Sequence, residues 1–218
     1  MKILRFESDL MVSNMYLIVH KKSAIVIDPF RNTAPGMDYE IDKIILTHEH
    51  YDHISGVNQW KQKYGACVLC SEACACNIGN PRKNMSRYFE AFYKLQSYAA
   101  QEGDVDIDHD YRCQADITFR DRTKFTWNGN HIELFELPGH SEGSIGVLVN
   151  DQYFFSGDSL FKQGKTELGF PGGDIKSWKT VSEKRIQSLP WGVKVYPGHY
   201  GPFVLADKEN DKYGVFYE

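Results

Sequence analysis

The stretch that decides the fold of this chain reads Thr47-His48-Glu49-His50-Tyr51-Asp52-His53, directly after the apolar run Lys43-Ile44-Ile45-Leu46. A buried strand followed by a tight loop points alternate side chains the same way, so His48 and His50 are expected to face one point. Asp52 and His53 would then turn to a neighbouring point. Because imidazoles and carboxylates are the usual ligands of zinc and related ions, one loop could supply two metal ions.

The alternative is a polar loop that is rich in histidine without binding metal. Imidazoles crowded this closely repel one another when protonated, and each needs a partner when buried. This cost argues against the alternative, and the context of the motif has to decide between the two.

Two later motifs supply that context, Leu137-Pro138-Gly139-His140 and Tyr196-Pro197-Gly198-His199. Both follow apolar, strand-like runs, and Pro-Gly ends a strand and turns the chain. A third such run, from Tyr153, ends in Ser156-Gly157-Asp158. Five of the eight histidines and two aspartates therefore fall on loops at strand ends.

Together these motifs resemble the metallo-β-lactamase fold superfamily of metal-dependent hydrolases, and within it the small glyoxalase-II-like group. The matching segments are His-x-His-x-Asp-His at 48–53, Gly-His-Ser at 139–141, Gly-Asp-Ser-Leu-Phe at 157–161, Phe-Pro-Gly-Gly-Asp at 170–174 and Pro-Gly-His at 197–199. The resemblance runs through nearly the whole chain and is weakest between about residues 77 and 123. Several spaced motifs in the correct order are far more specific than one short motif.

The resemblance implies a complete set of seven metal ligands. They are His48, His50 and His140 on the first ion, Asp52, His53 and His199 on the second, and Asp158 as a bridge. Asp52 and Asp158 are also the expected catalytic residues, with Asp52 orienting or relaying a proton. Two divalent transition-metal ions are expected, zinc by default, with iron or manganese as alternatives.

This ligand set favours hydrolysis without a serine or cysteine nucleophile. Two cations about 3.5 to 4 Å apart hold a shared water, lower its pKa toward neutrality and stabilise the oxygens of a displacement. The sequence therefore predicts a binuclear metal hydrolase that uses a metal-bridging hydroxide on a small ester-like or thioester substrate. Glyoxalase-II-like thioester hydrolysis is the nearest named activity.

Two other functions stay open. A mononuclear iron enzyme of the persulfide dioxygenase type resembles this group closely and would use His48, His140 and Asp158. A metal-stabilised binding protein would be expected to have lost ligands, and none is lost. The sequence leaves the native metal, the physiological substrate and the oligomeric state open.

Three residues outside the ligand set are further candidates. Lys165 occupies the place where relatives in this group carry a basic residue near the metal cleft, and it would hold an anionic substrate group. The chain has Lys-Thr-Glu at 165–167 where Arg-Thr-Asp is common in the group. Asp28 and Ser141 are each expected to accept a hydrogen bond from the far nitrogen of a ligand histidine.

The resemblance implies an α/β fold, a four-layered αβ/βα sandwich, and two batches of strands with helices outside them agree with it. A single domain over residues 1–218 is expected, with a variable segment at about 77–123. Strands are expected at 2–6, 15–20, 24–28, 43–47, 66–70, 124–127, 131–137, 144–149, 152–156 and 193–196. Helices are expected from Ile54, over 85–101 and over 174–189. The aromatic-rich helix at 85–101 is expected to cap the sandwich, with substrate selection as the alternative.

The composition limits the kinds of binding partner that are expected. The 218 residues are 42% hydrophobic, enough for a substantial core, and the formal net charge of −4 makes a nucleic-acid partner unexpected. No segment approaches the roughly 18 apolar residues of a membrane span, and the amino terminus lacks the apolar core of a signal peptide. A cytoplasmic enzyme with a small-molecule substrate and no membrane partner is the expectation.

The five cysteines, an odd number, also fit a reducing compartment. Four of them cluster at Cys67, Cys70, Cys74 and Cys76. Their spacing suits a short strand followed by a helix capped by Ser71, so we interpret them as free, buried thiols rather than a second metal site.

Overall fold

The computed structural model describes residues 1–31, 39–95, 105–162 and 166–205, and in these ranges it has twelve strands. Their bounds are β1 Lys2–Glu7, β2 Asn14–His20, β3 Ser23–Ile27, β4 Glu40–Ile45, β5 Cys67–Ser71, β6 Ile117–Phe119, β7 Arg122–Trp127, β8 Asn130–Glu136, β9 Ile145–Val149, β10 Tyr153–Gly157, β11 Lys194–Pro197 and β12 Phe203–Val204. All ten predicted strands are present within a few residues of their expected places.

The strands form two mixed sheets of six. The first has the order β1-β2-β3-β4-β5-β6, antiparallel from β1 to β3 and parallel from β3 to β6. The second has the order β12-β11-β10-β9-β8-β7, and only β10 and β11 pair in parallel there. The short strands β6 and β12 were not predicted, because two or three residues are too few for a period-two pattern to show.

Alternation along the strands separates the apolar residues into layers. In β2, Tyr16 and Ile18 face the second sheet, while Met15, Leu17 and Val19 belong to the cluster beneath the helices of the first sheet. Because both faces of such a strand are buried, its sequence reads as a continuous apolar run.

Helices cover the outer face of each sheet. On the first sheet they are α1 Tyr51–Ile54, α2 Val57–Tyr64, α3 Glu72–Ile78 and α4 Phe89–Leu95, the last preceded by a 3-10 turn at Ser86–Tyr88. On the second they are α5 Ile175–Ser177 and α6 Glu183–Gln187, joined by a π-helical turn at Trp178–Ser182. The layers are thus helix, sheet, sheet and helix, which confirms the predicted αβ/βα sandwich.

The helix expected from Ile54 is divided in two at Gly56. The expected apolar face exists, since Ile54, Val57 and Trp60 are fully buried. The division follows from a close approach, because a Cβ on Gly56 would lie 2.3 Å from the Phe30 carbonyl oxygen. The Gly56 amide instead donates to the Pro29 carbonyl at 2.9 Å.

The remaining helix predictions need correction. The continuous helix expected at 174–189 is interrupted by the π turn, which falls where Trp178 packs against Gly139. Of the helix expected at 85–101, residues 89–95 are helical, and residues 96–101 lie outside the described ranges. Within those ranges, no helix is both long and apolar enough to cross a membrane.

Candidate metal centre

The loops that follow β4, β8, β10 and β11 meet at one end of the sandwich. Backbone bonds hold them together: the Ile145 amide donates to the Thr47 carbonyl at 2.7 Å, and the Gly198 amide donates to the Gly157 carbonyl at 2.8 Å. The first of these bonds joins the two sheets. Side chains from four separate strand ends therefore converge on one place.

Three groups of potential ligands have their ligand atoms within 4.8 Å of one another. They are His48, His50 and His140, then Asp52, His53 and His199, and finally Asp28, His48 and His53. The first two groups are the triads expected for two ions. Their members are buried, apart from the half-buried His199.

Asp158 lies between the two triads. Its Oδ2 is 3.6 Å from His140 Nε2 in the first triad and 3.3 Å from His199 Nε2 in the second, and its Oδ1 is 3.5 Å from His53 Nε2. On the second side, Asp52 Oδ2 lies 3.4 Å from His53 Nε2. The seven residues expected as ligands thus form one cluster, whereas Lys165 lies outside the described residues.

Contacts behind the imidazoles determine which nitrogen carries the proton. The Nδ1 contacts are His140 with the Glu167 carbonyl at 2.7 Å, His199 with the Met11 carbonyl at 3.0 Å, and His53 with Asp28 Oδ2 at 3.2 Å. These oxygens can only accept, so each Nδ1–H donates and each neutral ring keeps a lone pair on Nε2. Three imidazoles are therefore held in the tautomer that can bind a metal through Nε2.

The Nε2 atoms of two of these imidazoles meet at the second triad. His53 Nε2 and His199 Nε2 are 3.3 Å apart, beside the carboxylates of Asp52 and Asp158. In the described part of the chain, Asp158 Oδ1 and the Nε2 atom of His48 are buried without a hydrogen-bond partner. A divalent cation would relieve this concentration of acceptors, so the residues fit a metal ion.

Asp28 supports both triads from behind. It is 2% exposed and accepts hydrogen bonds from the Thr47 amide at 2.7 Å and the Thr47 hydroxyl at 2.6 Å. The Thr47 proton is thereby used, so its oxygen accepts from His48 Nδ1 at 3.0 Å and leaves the His48 lone pair on Nε2. Asp28 thus orients His53 directly, as expected from the sequence, and His48 through Thr47.

Glu49 is a buried acidic residue beside the site that the sequence reasoning missed. It is 1% exposed and accepts from Ser141 Oγ at 2.8 Å, Asn77 Nδ2 at 2.9 Å and the Gly143 amide at 3.4 Å. The expected role of Ser141 is therefore wrong, because its hydroxyl bonds to Glu49 and not to an imidazole. The one sequence signal was the place of Glu49 between His48 and His50, both of which become buried.

The electrostatics differ between the two triads. Burial, followed by repulsion from neighbouring imidazoles, lowers the pKa of His48 and of His50 well below its usual value. Burial alone would raise the pKa of Asp158, but His199 and His53 outweigh it and hold this pKa well below its usual value. At neutral pH, His48 and His50 are therefore neutral and Asp158 is ionised. At the second triad burial lowers the pKa of His53 and of His199, but Asp52 and Asp158 outweigh it, raising the pKa of His53 to about 10 and that of His199 above its usual value. A metal ion at the second triad would therefore have to displace protons.

The other histidines and the cysteines stay apart from the cluster. His131 is exposed, and His109 Nε2 lies 3.1 Å from Glu90 on the surface. All five cysteines are free, and none belongs to a metal-ligating group among the described residues. Cys70 and Cys74 are buried as expected, whereas the expectation of burial is wrong for Cys76, which is exposed.

The family described as the Metallo-beta-lactamase superfamily matches residues 8–199 of this sequence. That match spans most of the 218 residues, and the chain belongs to this superfamily. Its histidine and aspartate clusters, together with a relative described as zinc-dependent, support the binding of divalent metal.

Relatives within the superfamily include several hydrolases. A probable metallo-hydrolase of Streptococcus pyogenes serotype M6 is 28% identical, over 96% of this chain and 88% of the relative. A hydroxyacylglutathione hydrolase of Pelagibacter ubique is 29% identical, over 93% of this chain and 71% of the relative. A probable polyketide biosynthesis zinc-dependent hydrolase of Bacillus velezensis is 26% identical, over 82% of this chain and 68% of the relative.

Solved structures with the same fold have lower identity. The BLEG-1 B3 metallo-beta-lactamase matches with a TM-score of 0.78 and 22% identity, over 93% of this chain and 94% of the other. ETHE1 from Myxococcus xanthus matches with a TM-score of 0.70 and 20% identity, over 97% and 83%. At these identities the likeness supports the fold and not a substrate.

Proposed function

We propose that this chain is a binuclear metal-dependent hydrolase acting on a small ester-like or thioester substrate. The proposed ligands are His48, His50 and His140 at the first ion, Asp52, His53 and His199 at the second, and Asp158 between them. The observation that carries the proposal is the meeting of the His53 and His199 Nε2 atoms at 3.3 Å beside two carboxylates. This arrangement supports a second ion in addition to the first.

When bound, two divalent ions would activate a shared water as the nucleophile and stabilise the oxygens of the displacement. Zinc is the ion we propose, because buried imidazoles and carboxylates suit it and a relative is described as zinc-dependent. Iron is the main alternative, since a structural neighbour was solved in a di-iron-bound form.

Two aspartates have proposed roles beyond holding metal. Asp158 contacts a histidine of each triad and would hold the two triads in a fixed relative position. Asp52 lines the pocket at the site and would orient the substrate or relay the proton to the leaving group. Its main chain is anchored, because Ser13 Oγ donates to the Asp52 carbonyl at 3.0 Å.

Lys165 stays a proposal for holding an anionic substrate group. The described lining of the pocket contains no lysine or arginine, so a cation at that site would have to come from elsewhere. The hydroxyacylglutathione hydrolase relatives make a glutathione thioester the first anionic substrate to test.

The test compares thioester hydrolysis by the zinc-loaded protein with oxygen consumption by the iron-loaded protein. Zinc-loaded protein should hydrolyse S-lactoylglutathione or a simple acyl thioester, and a chelator should abolish the rate until zinc is restored. Asp158→Asn should lower kcat/KM by about 100-fold or more, because its oxygens contact both triads. His131→Ala, an exposed histidine outside the cluster, is the matched control and should leave the rate unchanged.

The alternative function that this comparison tests is that of a mononuclear iron dioxygenase. Iron-loaded protein would then consume oxygen with glutathione persulfide as the substrate, and zinc-loaded protein would hydrolyse no thioester. That pair of results would overturn the proposed hydrolase.

A further inference from the structure

An apolar wall faces the proposed ligands across a single pocket. The wall consists of Met11, Met85, Phe89, Phe92 and Phe170. The opposite side is formed by His50, Asp52, Asp158 and His199. Any substrate that reaches the proposed ions must therefore place one of its groups against thioether and aromatic carbon.

Phe170 links the wall to the first triad. Its ring centroid lies 5.9 Å from that of His50 and 6.0 Å from that of His140, and both ring pairs meet edge to face. Phe92 packs on Phe170 in the same way, with centroids 5.4 Å apart. Edge-to-face contacts are a preferred aromatic geometry, so the wall is held at a fixed distance from the ligand imidazoles.

Helix α4 has two apolar sides, and only one of them is needed for packing. Phe89 and Tyr93, one turn apart, are 5% and 3% exposed and belong to the core cluster of the first sheet. Phe92 is half-buried, lies outside that cluster and lines the pocket. The capping role expected for this aromatic segment thus accounts for Phe89 and Tyr93 and leaves Phe92 without a role in the core.

We infer that this apolar wall binds a short apolar acyl group of the substrate, immediately next to the bond that is cleaved. The inference rests on the proposed hydrolase function and specifies its substrate class. The pocket, of about 60 Å³, also has to accommodate the proposed ions, so only a short substrate group fits beside them. An unbranched acyl group of about two to four carbons is the class that fits.

The first experiment measures kcat/KM for thioesters of one thiol, N-acetylcysteamine, so that the leaving group is constant. The acyl groups are acetyl, propanoyl, butanoyl and succinyl. The value of kcat/KM should rise about fourfold for each added methylene, because the transfer free energy of one buried methylene corresponds to that factor. Succinyl, which places a carboxylate against the wall, should react no faster than acetyl.

The variant that tests the wall is Phe92→Ala. It should remove most of the increase from acetyl to butanoyl, whereas Phe92→Leu should retain part of that increase. Tyr88→Ala is the matched control, because Tyr88 belongs to the same segment, is 44% exposed and does not line the pocket. Thermal melting of each variant verifies that it is folded.

A binding measurement separates this inference from the proposed function. Calorimetry on zinc-loaded protein would compare acetate with butanoate, the acyl products, and butanoate should bind about 15-fold more tightly, by two methylenes. If no thioester is hydrolysed, the hydrolase proposal fails, and this ratio, lost in Phe92→Ala, would still uphold the apolar site. Equal binding of the two carboxylates, or a preference for succinyl over butanoyl, would overturn the apolar site.

Discussion

Asp28 illustrates how a residue with no place in the ligand set can determine its chemistry. It stands at the end of β3 with a φ of 53°, a left-handed conformation that costs free energy outside glycine. From there its carboxylate reaches Thr47 and His53, and through them both triads. The sequence indicated a hydrogen bond to one histidine, although an Asp-Pro turn explained Asp28 nearly as well. The link through Thr47 could not be predicted, because it depends on the position of the next strand.

Asp28→Asn should weaken zinc binding about 10- to 100-fold, the usual effect of losing a group that orients a ligand. Asparagine tolerates the left-handed backbone. Its NH2 group, however, would face a hydrogen-bond donor in either orientation, the Thr47 amide in one and the Thr47 hydroxyl and His53 in the other. Competition with a chromophoric chelator measures the Kd. Asp42→Asn is the control, because Asp42 bonds to Trp127 Nε1 away from the site, and an equal loss there would contradict the role of Asp28.

Glu49→Ala should lower stability by about 1 to 3 kcal/mol, because the Gly143 amide and the neighbouring side chains lose a buried acceptor. Thermal melting in saturating zinc measures the change. Glu72→Ala removes an exposed partner of Arg120 and should stay within about 0.5 kcal/mol of the unmodified chain. Equal melting temperatures for the two variants would mean that Glu49 has no structural role.

At the scale of elements, the repeated Pro-Gly-His phrase has a steric explanation. Gly139 has a φ of 148°, and a Cβ there would lie 2.8 Å from Trp178. Gly198 is tighter still, since its Cβ would lie 2.0 Å from Asp158 Oδ1 and 2.8 Å from His53 Cε1. The sequence predicted both turns, but the need for glycine arises from residues distant in the chain.

Gly198→Ala should therefore displace Asp158 or His53 and reduce zinc bound at saturation below that of the unmodified chain. Gly201→Ala is a close control, because no atom lies within 4 Å of the Cβ it would add. Calorimetric titration with zinc compares the two variants. Unchanged zinc binding in Gly198→Ala would show that the ligands can rearrange around the added methyl group.

The length of a strand decides whether its sequence pattern can be recognised. The long strands show clear apolar runs, and their places were predicted closely. The edge strands β6 and β12 have three and two residues, and the π turn at Trp178–Ser182 depends on packing against Gly139, so neither feature has a local signal.

At the scale of the whole molecule, the site depends on joining two sheets. His53 and His199 are 146 residues apart in the chain, yet their Nε2 atoms are 3.3 Å apart. Local periodicity predicts that each histidine ends a strand, but not which strand ends meet. Resemblance to a family supplied that pairing at the sequence level. The fold explains it, because β10 and β11 are parallel neighbours and the segment after β4 meets the loop after β11.

The number of metal ions per chain tests the binuclear proposal most directly. Elemental analysis after zinc loading and removal of free metal should find two ions in the unmodified chain. His199→Ala, which removes a ligand from the second triad alone, should find one, because the first triad of His48, His50 and His140 is intact. One ion in the unmodified chain, or two in His199→Ala, would contradict the binuclear site.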